Sequence, residues 1–388
     1  MSADPFSLYI HIPYCISKCP YCDFNSHVVA QIPENKYTDA LLRELEHYGN
    51  SPEWRGRAVQ SIFFGGGTPS TFKPQNIGKI LAWVAATFPM DGDCEMTLEA
   101  NPGTVDSEKF AGYRRDAGVN RISVGVQSFQ PRLLKFLGRI HSADEARRAL
   151  SVVKEAGFEN FNLDLIYASP TQSLAELSAD LEAALEFRPP HVSAYNLTFE
   201  EGTPFYHDYR NGKMTSLGED EEIAMAELIE TKLAGAGLRR YEISNYARPD
   251  YRSRHNVNYW RYGDYLGLGA GAHSYWKVDS SVVSGRRWSN EKNPARYMAL
   301  VSKNRQAVVE REAIDRLKAA GEFMFLGLRM IEGISTDAFT RRFDKPPVEF
   351  YPKIRDWLEA NLLSENEGRL RLTRRGLLVA NSIFVELM

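Results

Sequence analysis

Three of the four cysteines, Cys15, Cys19 and Cys22, fall within eight residues in the order CxxxCxxC. At this spacing a short loop can turn three thiolates inward and offer soft sulfur ligands to one inorganic centre. A helix would spread them around its circumference, and Pro13 and Pro20 oppose a helix here. Three chemistries fit. The thiolates could hold three irons of a 4Fe-4S cluster and leave the fourth iron open. They could hold zinc, with His11 or His27 completing a tetrahedron. They could also be structural and unligated. Spacing favours the cluster over zinc, because structural zinc more often uses paired CxxC knuckles. Cys94 is expected to precede the third strand, at the far end of the sheet from the loop, and reads as a buried core thiol.

The elements that must position these thiols recur as a strand, a polar or glycine-rich loop and an amphipathic helix. The strand segments are SLYIHIP, SIFFGGGTP, CEMTLEANP, RISVGVQSF, FNLDLIYASP and HVSAYNLTF. Most are nearly continuous apolar runs, as in parallel strands covered by helices. Ser142 with Glu145 and Ser173 with Glu176 are capping boxes that open helices, and Gly157 stops the first of them. Six such units are compatible with a closed (β/α)8 barrel, a partial barrel or a doubly wound sheet. In each, functional residues collect at the C-terminal ends of strands. The cysteines, GGGTP, Glu99, Gln127 and Asp164 all fall at or near such ends.

The pattern changes near Arg210. A long helix is expected over Glu219 to Ala236, followed by a Tyr/Trp/Gly-rich stretch. After Pro294 come three helices and a hairpin, in an order resembling a winged helix. We divide the chain into a barrel (1–210), an extension (211–293) and a winged-helix-like α+β domain (294–388). GLGAGA, Gly267 to Ala272, superficially matches a dinucleotide fingerprint but lacks the βαβ context.

With an aromatic, Tyr21, before the last cysteine and GGGTP after the second strand, the chain resembles the radical S-adenosylmethionine (SAM) superfamily. LYIHIPYCISKCPYCDF, FFGGGTPS, EANP, SVGVQSF, LGRIH and DLIY, in this order, narrow the resemblance to the coproporphyrinogen III dehydrogenase-like subfamily. The resemblance implies a partial (β/α)6 TIM-like barrel. It also implies a 4Fe-4S cluster on Cys15, Cys19 and Cys22 whose open iron chelates the SAM amino and carboxylate groups. An electron from that cluster can break the sulfonium C–S bond, chemistry that belongs to the cofactor.

Carried over residue by residue, the resemblance gives Tyr9 and Tyr21 a part in seating SAM, where otherwise they are core aromatics. Gly66, Gly67 and Thr68 would expose backbone to the methionine amino group, or simply make a tight turn. Glu99 would pair with a cationic or hydroxyl group of SAM, or cap a helix. Gln127 would point into the barrel mouth. Arg139 would meet the SAM carboxylate, or lie solvated on the surface. Asp164 interrupts an apolar strand, where an unpaired carboxylate is costly, and a ribose or amine partner would explain it.

The dehydrogenases of this subfamily carry CxxxCxxCxC, whereas Phe24 stands in the last position here. They also have a longer N-terminal segment, and this chain begins 14 residues before Cys15. Both departures turn the resemblance toward the sister group of haem chaperones, whose HNxxYW signature appears as HNVNYW, His255 to Trp260. That resemblance implies haem as a ligand and an unidentified haem-accepting protein as partner. His255 can ligate iron while Tyr259 and Trp260 pack on the macrocycle. Otherwise His255 hydrogen-bonds a loop and the aromatics fill the core. His273 is a second possible ligand. A coproporphyrinogen III oxidase/dehydrogenase-like enzyme is the alternative.

Composition restricts the remaining classes. A net charge of −3 argues against a dominant nucleic-acid surface, and the C-terminal segment STDAFTRRF has only Arg341 and Arg342 as basic residues. No apolar run reaches the ~18 residues of a membrane helix. The first residues lack a basic-then-apolar leader, so the expected location is the cytoplasm. Four cysteines in 388 residues make no disulfide framework.

Overall fold

A computed structural model describes residues 4–278, 280 and 282–388. All six anticipated strands form: β1 (Phe6–Ile12), β2 (Val59–Gly66), β3 (Met90–Ala100), β4 (Arg121–Gln127), β5 (Asn160–Tyr167) and β6 (His191–Asn196). They lie side by side in chain order and all pair in parallel. The result is a partial, open α/β barrel. Alternation explains its two faces. Leu8, Ile10 and Ile12 of β1 are fully buried on the helix side with Leu41 and Leu45 of the helix Glu34–Gly49. Tyr9, between them, lines the barrel interior. Cys94 lies within the N-terminal half of β3 rather than before it, and is buried.

Both capping boxes are present, opening the helices Ala143–Glu155 and Leu174–Glu186. The long helix spans Glu219–Gly235.

A seventh parallel strand was not anticipated. Tyr265–Leu268 pairs with the free edge of β1, Tyr265 opposite Ser7. Antiparallel strands His273–Lys277, Gly285–Asn290 and Val308–Ile314 continue the sheet outward from there, and Asn245–Ala247 and Arg239–Arg240 extend it beyond β6, to give twelve strands in all among the described residues. The glycine run at its end is a packing device. Gly269 has φ +101°, and a Cβ there would lie 2.5 Å from the His11 carbonyl oxygen. The Gly269 N–H donates to Glu44 at 2.9 Å, and Asn290 Nδ2 and the Tyr297 hydroxyl each donate to the same carboxylate at 2.7 Å. Burial still pushes Glu44 up to about 7, because three hydrogen bonds only partly replace water.

A second hydrophobic cluster forms at the C-terminal end of the chain. Phe339 and Phe343 of the helix Thr336–Phe343 pack with Met324, Trp357 and Phe384. A three-stranded antiparallel sheet, Ile334–Ser335, Arg369–Leu372 and Leu363–Asn366, completes this distinct α+β unit. Tyr262 and Tyr275 join the same cluster and tie it to the extended sheet. No helix among the described residues is long and apolar enough to cross a membrane.

Candidate functional site

The cysteines sit on a loop held at both ends. Tyr14–Cys15 and His27–Val28 form a short parallel pair, and the Gly67 and Thr68 N–H groups donate to the Ile12 and Tyr14 carbonyls at 2.8 Å. Gly67 is required by this approach. A Cβ there would lie 2.7 Å from the Tyr14 oxygen and 2.8 Å from its nitrogen, both backbone atoms that cannot swing aside. Gly66 has φ +110°, and a Cβ would fall 2.3 Å from the His11 ring. Gly67→Ala should therefore displace Tyr14 and Cys15 and lower the iron and sulfide taken up on anaerobic reconstitution, while the chain stays folded by circular dichroism. Full uptake by this variant would show that the loop tolerates the displacement.

Cys15, Cys19 and Cys22 are half-buried free thiols that line one cavity of about 650 Å³. Thr68 Oγ1 donates to Cys15 Sγ at 3.4 Å, and Arg139 Nη1 donates to Cys19 Sγ at 3.5 Å. His11 and His27, the alternative fourth zinc ligands, are already engaged. His11 pairs with the Tyr9 hydroxyl at 3.0 Å and with the Asn25 carbonyl at 2.8 Å, and burial lowers it to about 4. His27 Nε2 pairs with Asn25 Oδ1 at 3.2 Å. Among the described residues, no three or more His, Cys, Asp or Glu side chains are grouped around a single-ion site. A three-iron contact does not need such a grouping, since each thiolate serves a different metal.

The cavity gathers the other anticipated residues: Tyr9, Tyr21, Gly66, Gly67, Thr68, Glu99, Gln127, Arg139 and Asp164 all line it. Gln127 reaches it through a strained backbone, with φ 69° where the β4–β5 register slips between Gly125 and Gln127. Arg139 Nη2 donates to the Gly125 carbonyl at 2.9 Å and Nη1 to the Tyr21 hydroxyl at 3.4 Å. It is a part-buried organiser of the cavity wall, not a solvated surface arginine. Asp164 accepts from Asn162 Nδ2 at 2.7 Å and from the Ser123 hydroxyl at 3.1 Å. Burial nevertheless raises it. Glu99 is pushed up to about 8 by burial and then by Asp164, while a Gly66 backbone hydrogen bond and Arg121 pull it down. Two half-buried carboxyls facing one space are suited to a cationic ligand.

The HNVNYW segment is helical. It forms the short helix Arg254–Trp260, capped by Ser253, and its first backbone N–H groups donate to Glu95 at 3.1 and 3.2 Å. This helix closes the inner end of the cavity. His255 is 1% exposed, stacks on Phe63 with ring centroids 5.0 Å apart, and pairs with Ser61 Oγ at 3.1 Å and Tyr259 OH at 3.3 Å. Burial and then Arg121 lower it to about 3. Tyr259 also lines the cavity. Trp260 does not: it packs with Tyr241 and Met330, and Arg329 lies 4.6 Å over its ring. The helical spacing of the segment separates what the sequence places side by side.

Several cavity residues escaped sequence reasoning. Arg121 is 2% exposed, with Glu95 3.9 Å away and no hydrogen-bond partner for its Nε. His191 pairs with Asn162 at 2.6 Å and Tyr241 at 2.8 Å. The signal was present as polar pairs two residues apart, Arg121/Ser123, Asn162/Asp164 and His191/Ser193, near the starts of β4, β5 and β6. Period two places each pair on the interior face.

Residues 9–184 match the family model of the radical SAM superfamily, and residues 314–379 match the HemN C-terminal domain. The chain is 39% identical to Heme chaperone HemW of Escherichia coli strain K12, over 98% of this chain and 97% of that one. It is 32% identical to Heme chaperone HemW of Bacillus subtilis strain 168, over 97% and 98%. The solved structure of coproporphyrinogen III oxidase (HemN) from Escherichia coli, a radical SAM enzyme, superposes with a TM-score of 0.82 at 23% identity, covering 99% of this chain and 90% of that one. At that identity the match speaks for the shared fold.

Proposed function

The chain belongs to the HemW family of haem chaperones within the radical SAM superfamily, and on that premise we propose that it carries haem to an acceptor protein, using a 4Fe-4S cluster and SAM as resident cofactors. The observation that carries this reading is a family likeness over nearly the whole chain, joined to three thiols converging on a cavity with two half-buried carboxyls.

The residues present fit the cofactors. Cys15, Cys19 and Cys22 are the soft donors a cluster needs. Thr68 and Arg139 supply hydrogen bonds to two of the sulfurs, which tune such a centre. In this proposal the open iron, when loaded, supplies electron-transfer chemistry toward SAM. Gly66, Gly67 and Thr68 let the methionine moiety approach the backbone. Glu99 and Asp164 would serve its cationic groups, and Arg139, which donates to Cys19 and Tyr21, would serve its carboxylate. Tyr9 and Gln127 complete the wall. The HNVNYW helix closes the inner end. Haem contact through His255, Tyr259 and Trp260 together would require this helix to leave its place, since Trp260 faces away and both His255 nitrogens are partnered.

Anaerobic titration of the cluster-loaded chain with haem tests the carrier reading. A nanomolar-to-micromolar site, roughly −12 to −8 kcal/mol, should saturate at about one equivalent. The same preparation should convert little or no coproporphyrinogen III, because Phe24 stands where the enzymes of the subfamily carry a fourth cysteine. Absence of haem uptake would overturn the carrier reading. Efficient conversion would replace it with the enzyme.

A further inference from the structure

Exposed apolar side chains collect on the cysteine loop. Ile16 is 55% exposed, Phe24 62%, Val28 54%, and Val29 is exposed beside them. A local concentration of this kind marks a contact surface. Val28 pairs directly beside Cys15, and Phe24 lies at the edge of the cavity.

Asn25 pins this loop to a distant part of the chain. Its Nδ2 donates to the Ala270 and Lys292 carbonyls at 3.0 Å each. Gly271 approaches so closely that a Cβ would lie 2.5 Å from that nitrogen. The turn thus delivers His273 to the same seam. Here His273 differs from the other histidines near the cavity. His11, His27, His141, His191 and His255 each commit ring nitrogens to hydrogen bonds. The exposed His273 ring commits neither among the described residues. Two exposed lysines flank the seam. Lys18 donates to the Phe24 carbonyl at 3.0 Å, and the Lys292 carbonyl is held by Asn25. Neither ammonium has an ion-pair partner among the described residues.

An available imidazole, an apolar patch and two unpaired cations at one seam match a flat apolar macrocycle with a central iron and two carboxylates. We infer that haem seats on this seam, with His273 ligating the iron, Phe24 and Val28 against the ring, and Lys18 and Lys292 meeting the propionates. The inference rests on the carrier reading and locates its cargo. An outer seat leaves the ligand within reach of an acceptor, whereas the buried His255 would have to be uncovered first.

The test is titration of the full-length, cluster-reconstituted chain with ferric haem, followed by absorption and electron paramagnetic resonance. His273→Ala should lose the imidazole-ligated low-spin signal, and added imidazole should restore it. Phe24→Ser, and separately Lys18→Glu with Lys292→Glu, should weaken binding by roughly tenfold or more, a change of about 1.4 kcal/mol. Iron and sulfide contents should stay at the wild-type level throughout, reporting an intact fold. An unchanged spectrum and affinity in His273→Ala would overturn the inference. So would loss of the ligand signal in a cluster-loaded His255→Ala with His273 intact. If the wild-type chain takes up no haem, the carrier reading itself fails.

Discussion

Replacing Cys15, Cys19 or Cys22 by alanine, one at a time, should leave the chain without an oxygen-sensitive cluster, whereas Cys94→Ala should retain it in full. The three thiols share one cavity, and each would supply the only protein bond to its iron. A cluster held by three thiolates has no spare ligand, so the loss should be nearly complete. Cys94 is buried in β3 and absent from that cavity, and burial pushes its thiol up to about 12. It would stay protonated at neutral pH and inert as a ligand. The measurement is iron and sulfide content after anaerobic reconstitution, with electron paramagnetic resonance of the reduced protein. Stoichiometric zinc without iron or sulfide in the wild-type chain would overturn the cluster assignment.

The second large effect is expected at the paired carboxyls. Adding SAM should perturb the resonance of the reduced cluster, and Glu99→Ala or Asp164→Ala should weaken that response about tenfold or more without removing the cluster. In the proposed SAM seat each substitution would take away a charge-assisted hydrogen bond, worth about 1.5–3 kcal/mol. The pH dependence follows from Glu99, raised to about 8 by burial and by Asp164. Below that pH the carboxyl is largely protonated and attracts a cation weakly. Above it the carboxylate is formed. SAM affinity should therefore rise as pH increases through about 8, and Glu99→Gln should flatten this rise. The same shift makes Glu99 a destabilising group in the empty chain as pH rises from 4.5 toward 8, because the unfolded state releases its proton first. A SAM response that is independent of pH and of both carboxyls, in a fully loaded cluster, would remove them from the SAM site.

Much of the barrel was legible because its signals are local. Capping boxes act across three residues, and both formed where the spacing of Ser and Glu placed them. Strands β1 to β6 followed from apolar runs ended by glycine, proline or polar loops. The cavity residues at strand ends followed from the geometry of parallel sheets. Less legible was the interior face. A continuous apolar strand has two faces, and which one turns toward the cavity depends on what covers the other. Arg121 and His191 were therefore passed over, although their two-residue spacing from Ser123 and Ser193 is visible in retrospect.

By itself, then, the sequence determined the thiol spacing, the order of the strand and helix units, the glycine turn at Gly66 and Gly67, and the family. Each depends on residue type and on neighbours a few positions away. The tertiary structure alone decided the partners separated by long stretches of chain. Tyr265–Leu268 became a barrel strand because the edge of β1 was free to pair with it. HNVNYW became the inner wall because the carboxylate of Glu95 caps its helix and Ser61 receives His255. Five residues of helix, more than one turn, then carried Trp260 to a different face from His255, while Tyr259, one turn on, stayed beside it. Asn25 and Gly271, 246 positions apart in the chain, met because glycine has no Cβ to hold them apart. Such contacts follow from how faces are covered and how closely backbones approach, which local patterns do not encode.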